Sequence, residues 1–515
     1  MSKYTPIDEI PQIHADLRAG FRSGKARSIA YRKQQLLQLA HLLKDNIDRF
    51  KDALQADLGR HPSESESAEL APTISEAMVC YHGVKKWAAT ERAAFSFNYA
   101  AMSPAIRKEP KGLVLIIGPF NYPILNLLAP FAGAIAAGNA CMVKPSELPV
   151  QTCNLLIELF PKYLDQDLYR IVNGGVHETT KILELPFDHI LYTGSHRVGR
   201  IVATAAAKHL CPVSLELGGK SPVVVDPKCD LKTMAKRLMW GKFSNAGQTC
   251  VAPDYVLCPE AFQDKLIEAS KEVLNTFYPG DPQQDASFGR IITEQHAERL
   301  KGLIDATRGT VVVGGQTDVA GKYVAPTIIR DVPPDDALME AEIFGPILPI
   351  VPTETVEEAV AFINSREHPL ALYVFSPCPS FKAKVFDNTQ SGSAIANECN
   401  LHVVVDGLPF GGTGASGSGH YTGKFSFDMF THLRSTMDNP SWVDVITGLR
   451  YPPYKSRNSP LAALTTPRLP ALPRGGASPK RWGLWLALLF AGVAAALLTK
   501  AGRNALTQLS LQLGY

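Results

Sequence analysis

LVLIIGPFNYPILNLLAPFAGAIAAGNACMVK, running from Leu113 to Lys144, decides the fold. Leu113 to Ile117 is an aliphatic run without alternation, as expected of a strand buried on both faces. GPFNYP turns the chain, a run of small and apolar residues reaches Ala137, Gly138 and Asn139 break it, and Cys141 to Val143 forms a second short strand before Lys144. Strand, helix and strand make a βαβ unit, and such units build a parallel sheet covered on both faces. The alternation continues with apolar strands at Tyr169–Val172, Ile190–Tyr192, Val213–Leu217 and Ser221–Val225. An α/β fold is therefore expected, with ligands at the carboxyl ends of its strands.

Upstream, Leu36, Leu39, Leu43, Ile47, Phe50, Leu54 and Leu58 recur at steps of three and four. This predicts a core-facing helical stripe that closes with Gly59 as its C-cap, Pro62 lying just beyond. The chain has 515 residues, 45% of them hydrophobic and 20% charged, the composition of a folded protein of several domains. Its net charge of +3 offers no excess for tracking nucleic acid. Nine cysteines are scattered without CxxC pairs, which argues against a disulfide framework or a structural zinc site and favours a reducing compartment. No metal site is expected.

The C-terminal region reads differently. Between Tyr451 and Lys480 lie seven prolines, from Pro452 to Pro479, among Ser, Arg and Gly, the composition of a tether. Trp482 to Thr499 then carries no charge over eighteen residues, about 27 Å as a helix at about 1.5 Å per residue. Lys480 and Arg481 precede it, Lys500 and Arg503 follow, and Trp482 and Trp485 stand where interfacial aromatics belong. We expect a single-pass tail anchor. The N-terminus, MSKYTPIDEIPQIHADL, lacks a secretory apolar stretch, so the preceding domains are expected to face the cytosol. Endoplasmic reticulum, mitochondrial outer membrane and lipid body are not distinguished.

Chemistry is sought in the turns after the strands. Cys250 lies in FSNAGQTCVAPDYVL, where Asn245, Gly247, Gln248 and Thr249 make a polar, flexible approach expected to expose the thiol, and a lowered pKa would make it a nucleophile. Free cysteines more often fill core space. Glu216 ends an apolar strand before Gly218 and Gly219, a partly shielded place where its pKa would rise toward neutrality and suit a base; a strand-end salt bridge is the plainer reading. The Asn121 amide, in the turn after a buried strand, could donate to a developing oxyanion. GSHRVG, Gly194 to Gly199, follows a strand and opens a helix but does not fit GxGxxG. Lys144 with Pro145, Ser146 and Glu147 follows another strand, where a lysine and an acid could reach a ribose; Ser146 could also simply N-cap a helix.

Together these segments resemble the NAD(P)-dependent aldehyde dehydrogenases. IGPFNYP, MVKPSE, YTGS, LELGGKSP, GQTCVAPDYVL, EIFGP, PLALYVFS, LPFGGTGASGSG and GKFSFDMF stand in family order over almost all of residues 1–450. CVAPDYVL, PLALYVFS and the short N-terminus look like the class 3 branch, which includes fatty aldehyde dehydrogenases, some of them ending in a membrane helix, and fungal relatives that oxidise apocarotenoid aldehydes. The resemblance implies an α/β aldehyde dehydrogenase-like fold: N-terminal helices and a Rossmann-type cofactor domain over residues 1–218, an α/β catalytic domain over 219–408 and a segment with a bridging β arm for oligomerisation over 409–450. The tether over 451–480 and the transmembrane helix over 481–500 follow.

The resemblance also implies roles. Cys250 attacks the aldehyde, the Asn121 amide and the Cys250 N–H hold the oxyanion, and Glu216 activates water to hydrolyse the thioester. Lys144 and Glu147 hold the adenosine ribose, Gly194 and Ser195 lie beside the pyrophosphate, and Glu342 with Phe344 positions the nicotinamide ribose. The cofactor is NAD, with NADP possible, because a carboxylate near the 2′-hydroxyl repels a 2′-phosphate. One departure is Thr422, where class 3 relatives usually carry His before Gly423 and Lys424. A homodimer anchored in a membrane and acting on long lipophilic aldehydes, fatty or apocarotenoid, is the leading expectation. The alternatives are a catalytically silent membrane scaffold and an enzyme that forms acyl-CoA.

Overall fold

The computed structural model describes residues 4–96, 99–454, 466, 469–470 and 472. Contacts group the described residues into two units, those within 1–94 and 104–437, and those within 95–103 and from 438 onward. Every candidate site residue falls in the first unit.

Its first large sheet has six strands in the order Gly417–Ser418, Val213–Leu217, His189–Gly194, Leu113–Ile117, Ala140–Lys144 and Tyr169–Ile171. All but Gly417–Ser418 run parallel. Strand order reverses between Leu113–Ile117 and His189–Gly194, which leaves a crevice at their carboxyl ends, the usual ligand site of such sheets. The aliphatic run at 113–117 is buried at every position, as its lack of alternation requires. The helix Leu125–Ala137 that follows packs so tightly that a Cβ on Gly133 would lie 2.2 Å from the Ser426 Cβ. Gly138, at φ 90°, closes that helix in the left-handed region that favours glycine.

The second large sheet has seven strands in the order Thr310–Val313, Thr327–Arg330, Ile347–Pro352, Tyr255–Cys258, Pro222–Val225, Ala371–Phe375 and Ser393–Ala396. Only its first pair is antiparallel. Each sheet has its own buried cluster, one centred on residues such as Leu115 and Phe131, the other on Val224, Val256 and Tyr373. A small antiparallel sheet joins Glu91–Arg92, Ala105–Pro110 and Thr431–Thr436.

Two local expectations change. The helical stripe is two helices, Ile29–Lys44 and Ile47–Leu58, the second ending at Gly59 with φ 61°. Asn46 interrupts it because its side chain donates to the Leu42 carbonyl at 2.9 Å, taking an acceptor at the end of the first helix. Ser146 does not cap a helix: the next one is Val150–Tyr163, and the Ser146 hydroxyl accepts the Leu148 N–H in a turn before it. The anchor expected over 481–500 and most of the tether lie outside the described residues. Among the described residues no helix is long and apolar enough to cross a membrane.

Candidate active site

The loop before Cys250 is neither exposed nor loose. Asn245, Ala246 and Gly247 all have positive φ, at 52°, 52° and 72°, and Asn245, Gly247 and Gln248 are buried. Such a turn leaves its own backbone groups unpaired, so side chains must satisfy them. The Asn245 amide donates to the Asn121 and Gln248 carbonyls at 3.0 and 3.1 Å. Gln248 donates to the Asn245 and Arg290 carbonyls and accepts the Ile292 N–H at 2.9 Å. The Glu64 carboxylate takes the Asn245 N–H at 2.7 Å.

Cys250 emerges from this turn partly exposed. Its thiol is pushed up to about 12, chiefly by burial and then by Glu342 and Glu216, with the N–H groups of Cys250 and Val251 acting the other way. The lowered pKa expected from sequence is thus corrected: carboxylates, not cations, are its charged neighbours.

Glu216 lies at the end of Val213–Leu217 and is 2% exposed, and neither carboxyl oxygen has a hydrogen-bond partner. Burial raises its pKa well above the ordinary value. A strand-end salt bridge is thereby excluded. An unpaired buried carboxyl costs free energy, and groups of this kind gather at functional sites. Asn121 is also 2% exposed and donates its amide to the Gln248 carbonyl at 2.9 Å. The neighbouring Tyr122 hydroxyl meets that of Thr249 at 3.0 Å. The turn from the first sheet and the loop entering the second are thus tied together.

The residues expected around a cofactor surround the crevice at the strand-order reversal and the adjoining loop. Lys144 ends its strand and meets Glu147 at 3.0 Å. Gly194 ends the strand on the other side of Leu113–Ile117, and a Cβ there would lie 2.3 Å from the Tyr192 hydroxyl. Ser195 N-caps His196–Ala207, so that helix aims its N-terminus at the crevice. Thr193 leaves its hydroxyl buried and unpartnered beside it. On Gly218 a Cβ would stand 2.0 Å from a Glu342 carboxyl oxygen, so glycine is what lets that loop close on the strand. Glu342 is raised to about 8 by burial first and Asp254 second, against the Gly219 N–H, Lys220 and Lys242. Phe344, at φ 49°, packs edge to face on Phe120 at 5.7 Å. Glycine cradles, a helix N-terminus and a lysine–carboxylate pair fit a nicotinamide dinucleotide.

Two residues missed as site residues hold the Glu342 loop. Lys220 donates to Asp254 at 2.6 Å and to the carbonyls of Leu338 and Ala341 at 2.7 and 3.0 Å. Asp254 in turn accepts the Ile343 N–H at 3.1 Å. Lys220 stands in LELGGKSP and Asp254 in CVAPDYVL, four positions after Glu216 and Cys250, and a single basic residue in the first segment and a single acidic one in the second are the signal the sequence offers.

A cavity of about 520 Å³ reaches Cys250, walled by Val79, Leu125, Phe277, Val403, Phe410 and Tyr421 among others. Glu64 and Glu76 also face it. Leu401, Val404 and Val405 line it while remaining 45%, 42% and 48% exposed, which makes an apolar rim. Thr422 forms part of the wall at φ 94°, unusual for a β-branched residue, with its hydroxyl on the Leu408 carbonyl and its N–H on Ser426.

A dinucleotide-type crevice on one sheet beside a cysteine loop entering another is the architecture of a cofactor-dependent dehydrogenase. The chain belongs to the aldehyde dehydrogenase family, whose model matches residues 7–436. It is an NAD(P)-dependent aldehyde dehydrogenase of the class 3 branch. It is 46% identical to rat aldehyde dehydrogenase family 3 member B1 over 442 residues, covering 86% of this chain and 94% of that one. It is also 46% identical to rat family 3 member A2 over 437 residues, with 85% and 90% covered. The rat protein named "Aldehyde dehydrogenase, dimeric NADP-preferring" is 46% identical over 440 residues, with 85% and 97% covered. Among solved structures, substrate-bound Staphylococcus aureus AldH superposes with a TM-score of 0.86 at 39% identity, covering 88% of this chain and 99% of that one. A Mycobacterium tuberculosis aldehyde dehydrogenase complexed with NAD+ gives 0.76 at 26% identity, with 84% and 91% covered.

Proposed function

We propose that this enzyme oxidises long, lipophilic aldehydes, fatty or apocarotenoid, to carboxylic acids at a membrane surface. The observation that carries this reading is an apolar cavity ending at Cys250, rimmed by exposed Leu401, Val404 and Val405. The sulfur of Cys250, once deprotonated, adds to the carbonyl carbon. The second N–H of the Asn121 amide and the Cys250 backbone N–H hold the oxygen that becomes negative. The dinucleotide supplies the hydride acceptor. Loss of hydride leaves an acyl group on Cys250 as a thioester. Glu216, whose oxygens have no other partner, takes a proton from water as it attacks the thioester, and the acid leaves with the thiol restored.

Lys144 and Glu147 bind the adenosine ribose, Gly194 and Ser195 flank the pyrophosphate, and Glu342 and Phe344 place the nicotinamide ribose. Glu147 tilts the choice toward NAD by repelling a 2′-phosphate. The sequence 482–499 anchors the chain, and Thr431–Thr436, an exposed edge strand, serves a homodimer. Turnover of a long saturated aldehyde is compared with that of a polyene aldehyde, using a short aliphatic aldehyde as reference. Faster processing of either long substrate supports the reading, and a clear preference for the short aldehyde sinks it.

A further inference from the structure

Arg60 is wholly buried, 0% exposed, and so is its partner Glu69. Its guanidinium pairs with Glu69, donates to the Asn121 carbonyl at 2.5 Å and to the Asn245 side-chain oxygen at 3.2 Å, and stacks 4.6 Å from the Tyr122 ring. Glu69 uses its other oxygen to accept the N–H groups of Ile124 and Leu125 at 2.6 and 3.2 Å, at the start of Leu125–Ala137. Neither residue lines the cavity. One rigid fork therefore touches the backbone that carries the Asn121 amide and the side chain that shapes the turn before Cys250. Asn245 is the crossbar, since its amide reaches the Asn121 and Gln248 carbonyls. A buried ion pair is weak evidence of stability, because desolvating both charges offsets much of their attraction. Its value here is directional: it fixes two loops from separate sheets against each other.

We propose that Arg60, held by Glu69 and acting through Asn245, is a positioning residue that sets the spacing between the Asn121 amide and the Cys250 N–H, and hence the oxyanion hole. This rests on the reading that those two groups hold the oxyanion.

The test uses the full-length enzyme, NAD and a short aliphatic aldehyde. Arg60→Lys keeps a charge opposite Glu69 but loses the fork. Asn245→Gly removes the crossbar while tolerating the left-handed backbone at φ 52°. Each is expected to slow the first-turnover NADH burst about 10- to 100-fold, the scale of a misplaced catalytic group. Aldehyde KM, NAD binding and alkylation of Cys250 by iodoacetamide should stay within about twofold, because displacement at a saturated carbon develops no oxyanion. In an Asn121→Ala background, both substitutions should cost less than about twofold more.

Should alkylation fall in parallel with the burst, the effect is general disorder and the proposal is overturned. It is equally overturned by an unchanged burst in either folded variant, or by losses that multiply with that of Asn121→Ala. If Arg60→Lys does not fold, Asn245→Gly decides by the same readouts. A normal burst in Asn121→Ala alone defeats the underlying oxyanion assignment and the proposal with it, a result distinct from failure of Arg60 by itself.

Discussion

The Asn121 side-chain amide donates to the Gln248 backbone carbonyl at 2.9 Å, across 127 positions of sequence. This contact joins the first strand's turn to the cysteine loop, and a primary amide still has a second N–H to offer an oxyanion. Asn121→Ala should therefore lower kcat about 10²- to 10³-fold with little change in NAD binding. Steady-state rates and dinucleotide titration check this; an unaltered kcat removes Asn121 from the chemistry.

Cys250→Ser should reduce oxidation by about 10³-fold or more while leaving NAD binding close to normal, since the nucleophile is lost and the cofactor crevice is untouched. Turnover together with equilibrium binding is the measurement. Full activity would place the chemistry on another residue.

Glu216→Gln should let hydride transfer proceed and stall hydrolysis, seen as a burst of NADH followed by slow turnover. It should also change stability with pH. A buried carboxyl whose folded pKa is raised stabilises the fold below its unfolded value and loses that contribution as pH rises through the folded value. The substituted amide carries no charge to bury, so the variant should melt higher than wild type in alkaline buffer and lose that advantage near about pH 5. Disappearance of the burst along with turnover would move Glu216 to an earlier step.

Cys250 is pushed up to about 12 and Glu342 to about 8, while Glu216 is also raised. Each gains its working anionic form as protons leave, so kcat, which includes thioester hydrolysis, should climb from about pH 6 to about pH 9. A profile that is flat or falls across that window would contradict the assignment of Cys250 and Glu216 as nucleophile and base.

A chain ending near Gly475 should remain soluble and oxidise short aldehydes at close to the full-length rate. It should lose its advantage with a long aldehyde dissolved in vesicles, because anchoring raises the local concentration of enzyme around a membrane-borne substrate without altering the bond-making step. Flotation with liposomes, followed by assay of both forms on one vesicle-borne aldehyde, separates the two effects. Flotation of the truncated form rules out the tail as anchor; equal rates in solution rule out a substrate drawn from the bilayer.

Sequence by itself determined the parallel strands, because short aliphatic runs such as Leu113–Ile117, bounded by turns and alternating with helical segments, suit strands covered on both faces. It also determined where the helix ending at Gly138 stops and the order of the motifs, since these are local properties of backbone preference and residue type. Tertiary structure alone decided that the stripe at 36–58 is broken by Asn46, that the loop before Cys250 is buried, and that its thiol is raised rather than lowered. Glu216 could not be distinguished in sequence from a salt-bridged strand end, and nothing beside Arg60 in the sequence marks it out. Burial and distant partners set the protonation and geometry of such groups, and a carboxyl at 216 or a guanidinium at 60 meets those partners only when loops from two sheets close around them.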